Sequence, residues 1–279
     1  MPESTEAEPR LDSVEIKVTF SAARAAAAAE ALAPGDGGTR RRVHFCELPS
    51  GSGESGALPL LDGGVILRLR AESDRHGAGR HDGGDRHGDG DQRGDGERRG
   101  GGDSTVKLRP CRRARIGPRW LRFRKDGPDE LRIESDWSTE NEVLAASLTT
   151  DCGRSTVDAV TSGARPPLTA FSRRQQEFLA ECADVAVDFR ALRVLGPVHA
   201  VRWRGVRLSH HELALEHWAL DAHGLEWFEV SERVDPEGAE VVQASLHTLV
   251  RSLGLEPDLE QETKTRRVLE ALTRSSLAR

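Results

Sequence analysis

Several features are scarce or missing in this chain, and each absence excludes something. The four cysteines, Cys46, Cys111, Cys152 and Cys182, are widely spaced and form no C-x-x-C pair. That spacing excludes a cysteine zinc framework and a disulfide scaffold, and it fits reduced thiols in a cytosolic setting. No apolar run approaches membrane-spanning length. The N-terminus is acidic and polar, unlike a secretory leader. Net charge is −6, so there is no overall basic surface for nucleic acid and any cationic site must be local. The expectation is a soluble, cytoplasmic protein with no membrane or nucleic-acid partner; no residue pattern selects an oligomeric state.

Familiar catalytic signatures are missing too. His210-His211-Glu212 lacks the second histidine of H-E-x-x-H, and both histidines read as strand-edge or solvent residues. Residues Thr161 to Pro166 lack the lysine and glycine spacing of a phosphate-binding Walker loop. No nucleophile-and-base grouping is visible in sequence. Lysine is rare as well: only Lys17, Lys107, Lys125 and Lys264 occur.

What the chain does have is alternation. Side chains on a strand point to opposite faces with a period of two. In Val65 to Arg70 this puts Arg68 and Arg70 on one face, and in Thr105 to Arg109 it does the same for Lys107 and Arg109. Ser13 to Val18 sets Ser13, Glu15 and Lys17 opposite Val14, Ile16 and Val18; Leu131 to Trp137 aligns Arg132, Glu134 and Asp136. A single such strand is ordinarily half-exposed, with its charges in water. Four together, all carrying Lys, Arg, Glu or Asp, point to a shared polyanion site, because like charges facing across strands are destabilising without an anion between them.

The remaining organisation is coarse. Residues 1–12 read as a tail and 13–279 as one domain. Arg75 to Gly102, almost wholly Gly, Asp, Arg and His, reads as a disordered insert with nothing to bury; its His76, His81 and His87 imply no fixed ligand geometry. Further strands are predicted over Arg40–Leu48, Leu192–Val198 and His199–Val206, with a hairpin of His211–Leu220 and Leu225–Val234. Arg119–Arg124 reads as another strand or a lead into the Glu134 strand, and Glu142–Leu148 as strand or helix. Helices are predicted over Ser21–Leu32, capped by Ser21, over Ser172–Cys182, and over 237–273 in two pieces.

The E-I-K of Ser13-Val14-Glu15-Ile16-Lys17, followed in order by R-x-R, K-x-R and acidic strands, resembles the CYTH domain of the triphosphate tunnel metalloenzyme superfamily. The resemblance runs from about Val14 to Val234. It implies an α+β fold, an antiparallel eight-stranded closed β-barrel with flanking helices and charged side chains inside. It also implies that Lys17, Arg68, Arg70, Lys107 and Arg109, joined by Arg202 or Arg204, hold a triphosphate or polyphosphate. Glu15, Glu134 and Asp136, with Glu216 and Glu229, would bind Mg²⁺ or Mn²⁺, and Glu15, Lys17 and Glu134 would serve catalysis. The activity implied is a metal-dependent triphosphatase; the alternatives are a non-catalytic phosphate-binding module and a class IV-like adenylate cyclase. Ser13 and Ser231 stand where the family pattern carries carboxylates, which removes two candidate ligands.

Overall fold

The computed structural model describes residues 10–32, 34–49, 57–73, 101–138, 141–258 and 264–277. Most of the expected tail, the glycine–serine loop over 50–56 and the body of the insert, including its three histidines, lie outside the described residues. In chain order the elements are β1 (Ser13–Ser21), α1 (Ala23–Leu32), β2 (Thr39–Glu47), α2 (Pro59–Asp62), β3 (Val65–Glu72) and β4 (Gly102–Leu108). Next come α3 (Pro118–Arg122), the two-residue β5 (Lys125–Asp126), β6 (Asp129–Trp137), β7 (Glu142–Asp151), α4 (Arg154–Thr161) and α5 (Arg173–Cys182). The chain ends with β8 (Arg193–Leu208), β9 (His211–Leu220), β10 (Leu225–Val234), α6 (Ala239–Ser252) and α7 (Lys264–Leu277).

β5 pairs only with β6. The other nine strands close into a barrel in the order β1-β10-β9-β8-β2-β3-β4-β7-β6, with β6 returning to β1. This corrects the expected eight antiparallel strands. When neighbours alternate in direction, an even number closes antiparallel throughout, whereas an odd number leaves one pair pointing the same way. That pair is β1 with β6, parallel from Ser13 opposite Glu134 to Ile16 opposite Trp137.

The barrel is apolar outside and charged inside. On β3, Val65, Leu67 and Leu69 are buried outward, while Arg68 and Arg70 turn to the interior. Two apolar layers wrap the outer surface, and a third closes one end of the barrel from inside. One joins β3, β4, β6 and β7 to α3, α4 and α5. A second joins β1, β9 and β10 to α1 and α6. The third packs the inward-facing Phe45, Trp218 and Trp227 of β2, β9 and β10, with β8, against α2 and α7, where Phe45 and Trp218 border the cavity. The hydrophobic effect therefore holds the barrel from its rim, at about 25 cal/mol per Å² of apolar surface buried, and leaves the centre for polar groups. Among the described residues, no helix is long and apolar enough to cross a membrane.

Some local expectations change. Residues 118–122 form a helix rather than a strand: Pro118 presets its first turn, and Trp120 packs edge-on against Phe178 with ring centroids 5.1 Å apart. The two strands predicted over 192–206 are one, β8. Pro197 falls where its ladder with β2 shifts register, so its missing N–H breaks no regular pairing. Gly205, at φ +64°, sits at a second register shift, against β9. Ser21 stays paired with Trp227 in β1 rather than capping α1. Ser172 does cap α5, its hydroxyl accepting from Gln175 N–H at 3.1 Å while the Gln175 side chain accepts from Ser172 N–H.

Candidate active site

The alternation of β1, β3, β4, β6 and β8–β10 opens onto one cavity of about 2280 Å³. Glu15, Lys17, Arg68, Arg70, Lys107, Arg109, Glu134, Asp136, Arg202, Arg204, Glu216 and Glu229 all line it. Two opposite walls divide them.

The adjacent strands β6, β1 and β10 carry an acidic wall. Asp136 lies at its centre: one carboxylate oxygen is 3.1 Å from Lys17 Nζ, the other 2.8 Å from both Lys107 Nζ and Arg109 Nε. Burial alone would raise the pKa of Asp136, but these three cations outweigh it and hold the carboxyl far below the usual range. Glu15 pairs with Lys17 at 2.7 Å and Arg233 at 3.2 Å; burial again pushes upward, and the two cations bring it down to about 2. Glu134 takes Arg233 Nε at 2.7 Å and the Ser13 hydroxyl at 3.0 Å. Ser13 thus supplies no carboxylate but braces one. Burial opposes the charge on Lys17, yet Glu15 and Asp136 overcome it and raise its pKa. Lys107 goes the other way, lowered by burial and by Lys17, since two ammonium groups share one aspartate.

The adjacent strands β8, β2 and β3 carry an arginine wall: Arg41, Arg68, Arg70, Arg202 and Arg204. Arg41 pairs with Glu72 at 3.1 Å and Arg70 with Asp103 at 2.8 Å. Arg202 Nε lies 3.3 Å from Glu216 but outside hydrogen-bonding geometry. Arg68 and Arg204 have no ion pair among the described residues. Burial and the neighbouring Arg70 push Arg68 down to about 10; the charge of Arg202, then burial, does the same to Arg204. The Nε atoms of Arg41, Arg68 and Arg202 are buried without a hydrogen-bond partner, in a protein interior where such orphans are costly.

Glu15, Glu134 and Asp136 each offer a carboxylate oxygen, all within 4.8 Å of one another. Such a set of hard oxygen donors fits a divalent cation such as Mg²⁺ or Mn²⁺. Glu216 and Glu229 fall outside this cluster and share Lys264, at 3.4 and 3.0 Å. Ser231 lines the cavity, its hydroxyl 3.4 Å from the Ala214 carbonyl.

Sequence reasoning missed Arg41, Asp103, Arg233 and Lys264. Arg233 was within reach, since it continues the period of Glu229 and Ser231. Arg41 sits in a run of three arginines, where alternation shows no phase. Asp103 borders the low-complexity insert. Lys264 enters from helix α7, stacked 4.3 Å above the Trp218 ring, and no strand pattern could announce it.

No family model and no curated protein matches the sequence. Solved structures do match. One is a Hippeastrum protein, HpAC1, described as a candidate adenylyl cyclase with a dominant triphosphatase activity: TM-score 0.55, 15% identity, 95% of this chain and 96% of that one. Another is a candidate adenylate cyclase from Bacillus halodurans: TM-score 0.52, 14% identity, 91% of this chain and 96% of that one. The fold is the CYTH-type tunnel barrel. Within that tunnel fold the two walls lie on opposite sides of the same interior, an arrangement suited to a ligand bearing several negative charges beside a metal ion.

Proposed function

We propose that the chain is a metal-dependent triphosphate phosphohydrolase that binds its substrate inside the tunnel. The observation that carries this reading is the five-arginine wall facing a three-carboxylate cluster across one cavity. Phosphoryl transfer needs positioning and charge stabilisation more than a protein nucleophile.

Arg68, Arg70, Arg202 and Arg204 bind and orient the phosphate chain, their forked donors matching phosphate oxygens. Lys17, its pKa raised, remains an ammonium and acts as a fixed charge rather than a base. Glu15, Glu134 and Asp136 would hold Mg²⁺ or Mn²⁺, which when bound offsets phosphate charge and favours ionisation of water. The water oxygen bonds to the terminal phosphorus as the bridging P–O bond breaks; the leaving phosphate keeps the electron pair, and the water's proton passes to a phosphate oxygen of the substrate.

The test is phosphate release from inorganic, thiamine and nucleoside triphosphates with Mg²⁺ or Mn²⁺. No release from any of them by folded protein would end the enzymatic reading. A second reading, a binding module that retains polyphosphate without turnover, is favoured by Ser13 and Ser231 and by the occupation of Asp136 by three cations. Calorimetry separates the two: tight metal-independent binding of inorganic triphosphate without hydrolysis selects the module. The ATP arm, read for cyclic AMP, tests the cyclase alternative.

A further inference from the structure

At the edge of the barrel, where the turn between β8 and β9 meets α6, lies a second cluster that the proposed phosphate site does not use, although its Glu232 also borders the main cavity. His211 opens β9 and is buried, Glu232 is on β10, and Ser245 is half-buried on α6. Glu232 Oε2 is 2.6 Å from His211 Nδ1, and His211 Nε2 is 3.0 Å from Ser245 Oγ. The exposed His210 brings its own Nε2 to 2.8 Å from the same Oγ, while its Nδ1 lies 3.2 Å from Ser209 Oγ. Of the two readings from sequence, strand-edge or solvent, His211 takes the first: it is buried at the start of β9.

Donor and acceptor accounting gives these contacts a direction. An ionised carboxylate only accepts, so the neutral His211 ring carries its proton on Nδ1 and leaves Nε2 as an acceptor. Nε2 then accepts the single proton of Ser245. The second imidazole at Oγ must donate, so His210 carries its proton on Nε2 and its Nδ1 accepts from Ser209. With both imidazoles neutral, every group is satisfied in one arrangement: carboxylate to imidazole to hydroxyl, the order that activates a serine. A cavity of about 430 Å³ adjoins the hydroxyl, walled by Ala244, Thr248, Leu249 and Ser252. It is small and lined partly by methyl groups, which suits a short acyl chain.

We propose that Ser245 is a nucleophile, with His211 as its base and Glu232 as the positioning residue, and that this site hydrolyses short-chain carboxylic esters independently of the tunnel. Oγ bonds to the acyl carbon as its proton passes to His211 Nε2. The C–O bond to the alcohol breaks, and the alcohol oxygen takes that proton. Water then adds to the acyl-serine, giving its proton to His211, and the acid departs as Oγ recovers the proton. Ser245 is mid-helix with its backbone N–H committed to the helix, so the donor for the oxyanion that forms on the acyl carbonyl oxygen must be a side chain, and His210 Nε2–H, freed from Oγ as the acyl bond forms, is the one beside it.

A fluorophosphonate probe on the full chain tests this. Oγ displaces fluoride from phosphorus, forming P–O and breaking P–F, with the proton going to His211. The expected result is one label per chain, placed on Ser245 by peptide mass spectrometry, with p-nitrophenyl acetate hydrolysis alongside. Ser245→Ala, which removes one oxygen from a half-buried helix position, should abolish both. Glu232→Gln can present an N–H to Nδ1 and turn the ring to the wrong tautomer, slowing labelling roughly tenfold or more, with circular dichroism verifying the fold. An unlabelled wild type, labelling that survives Ser245→Ala, or an equal rate in folded Glu232→Gln would overturn the proposal.

Discussion

The two walls of the tunnel handle charge differently. On the β6-β1-β10 wall, each carboxylate is met by at least one cation within 3.2 Å, and Asp136 by three. On the β8-β2-β3 wall, Arg41, Arg70 and Arg202 have ion-pair partners among the described residues, Glu72, Asp103 and Glu216, and Glu216 is shared with Lys264. Burying a charge is expensive unless it is paired. The acidic wall is therefore part of what holds the barrel together, whereas the arginine wall holds repulsion that an incoming polyanion would relieve. On the proposed reading one wall governs stability and the other affinity, so perturbing them should give separable results.

The largest effect should come from acid. Glu15 has its pKa lowered from 4.5 to about 2, and that of Asp136 is lowered from 3.8. A depressed folded-state value means stability present above the unfolded value and lost as pH falls through the folded one. The contribution of Glu15 is thus complete above about pH 4.5 and drains away toward pH 2. Glu15 should contribute on the order of 3 kcal/mol, and Asp136 adds in the same direction. Urea unfolding across this range should show a steep decline, and a flat profile would mean that the acidic wall does not hold the fold.

Asp136→Asn should come next. It leaves Lys17, Lys107 and Arg109 around a neutral amide and should cost about 3–5 kcal/mol, as breaking buried pairs does. An unchanged unfolding midpoint would contradict this. Arg68→Ala is the counterpart on the other wall. With no ion pair to lose, it should leave stability unchanged or higher, yet weaken inorganic triphosphate binding by about 1.5–3 kcal/mol, the range of a hydrogen bond to a charged group. If calorimetry finds equal affinity, the arginine wall is not where the anion sits.

Much of this contrast was legible from residues two apart. In β1, β3, β4 and β6 a charged residue faces inward wherever an apolar neighbour must face the helices, so Lys17, Arg68, Lys107 and Asp136 could be assigned a common face before any pairing was known. Closure could not be read that way. Whether β6 meets β1 depends on the number of strands between them, and the helix at 118–122 and the single long β8 both altered that number from what local patterns suggested. Lys264 comes from a helix, and the Glu232–His211–Ser245 chain draws on two strands and a helix. Such groupings exist only in three dimensions; residues 21 and 13 positions apart in sequence carry no periodic signature of contact.

The smallest expected effect concerns the metal and separates the walls most finely. Glu134→Gln keeps the side-chain shape, and its carbonyl can still accept from Ser13 and Arg233, which lie 3.0 and 2.7 Å from the present carboxylate. What it removes is one negative charge from the cluster with Glu15 and Asp136. Mg²⁺-dependent phosphate release should fall about tenfold, about 1.4 kcal/mol in the barrier, while metal-free triphosphate affinity, governed by the arginine wall, stays the same or rises as one repelling charge goes. The informative comparison is Glu229→Gln, which removes a charge from the same cavity but outside that cluster. Should Glu229→Gln erase the Mg²⁺ response and Glu134→Gln preserve it, the cation would belong beside Lys264, and the division of labour between the walls would have to be redrawn around β9 and β10.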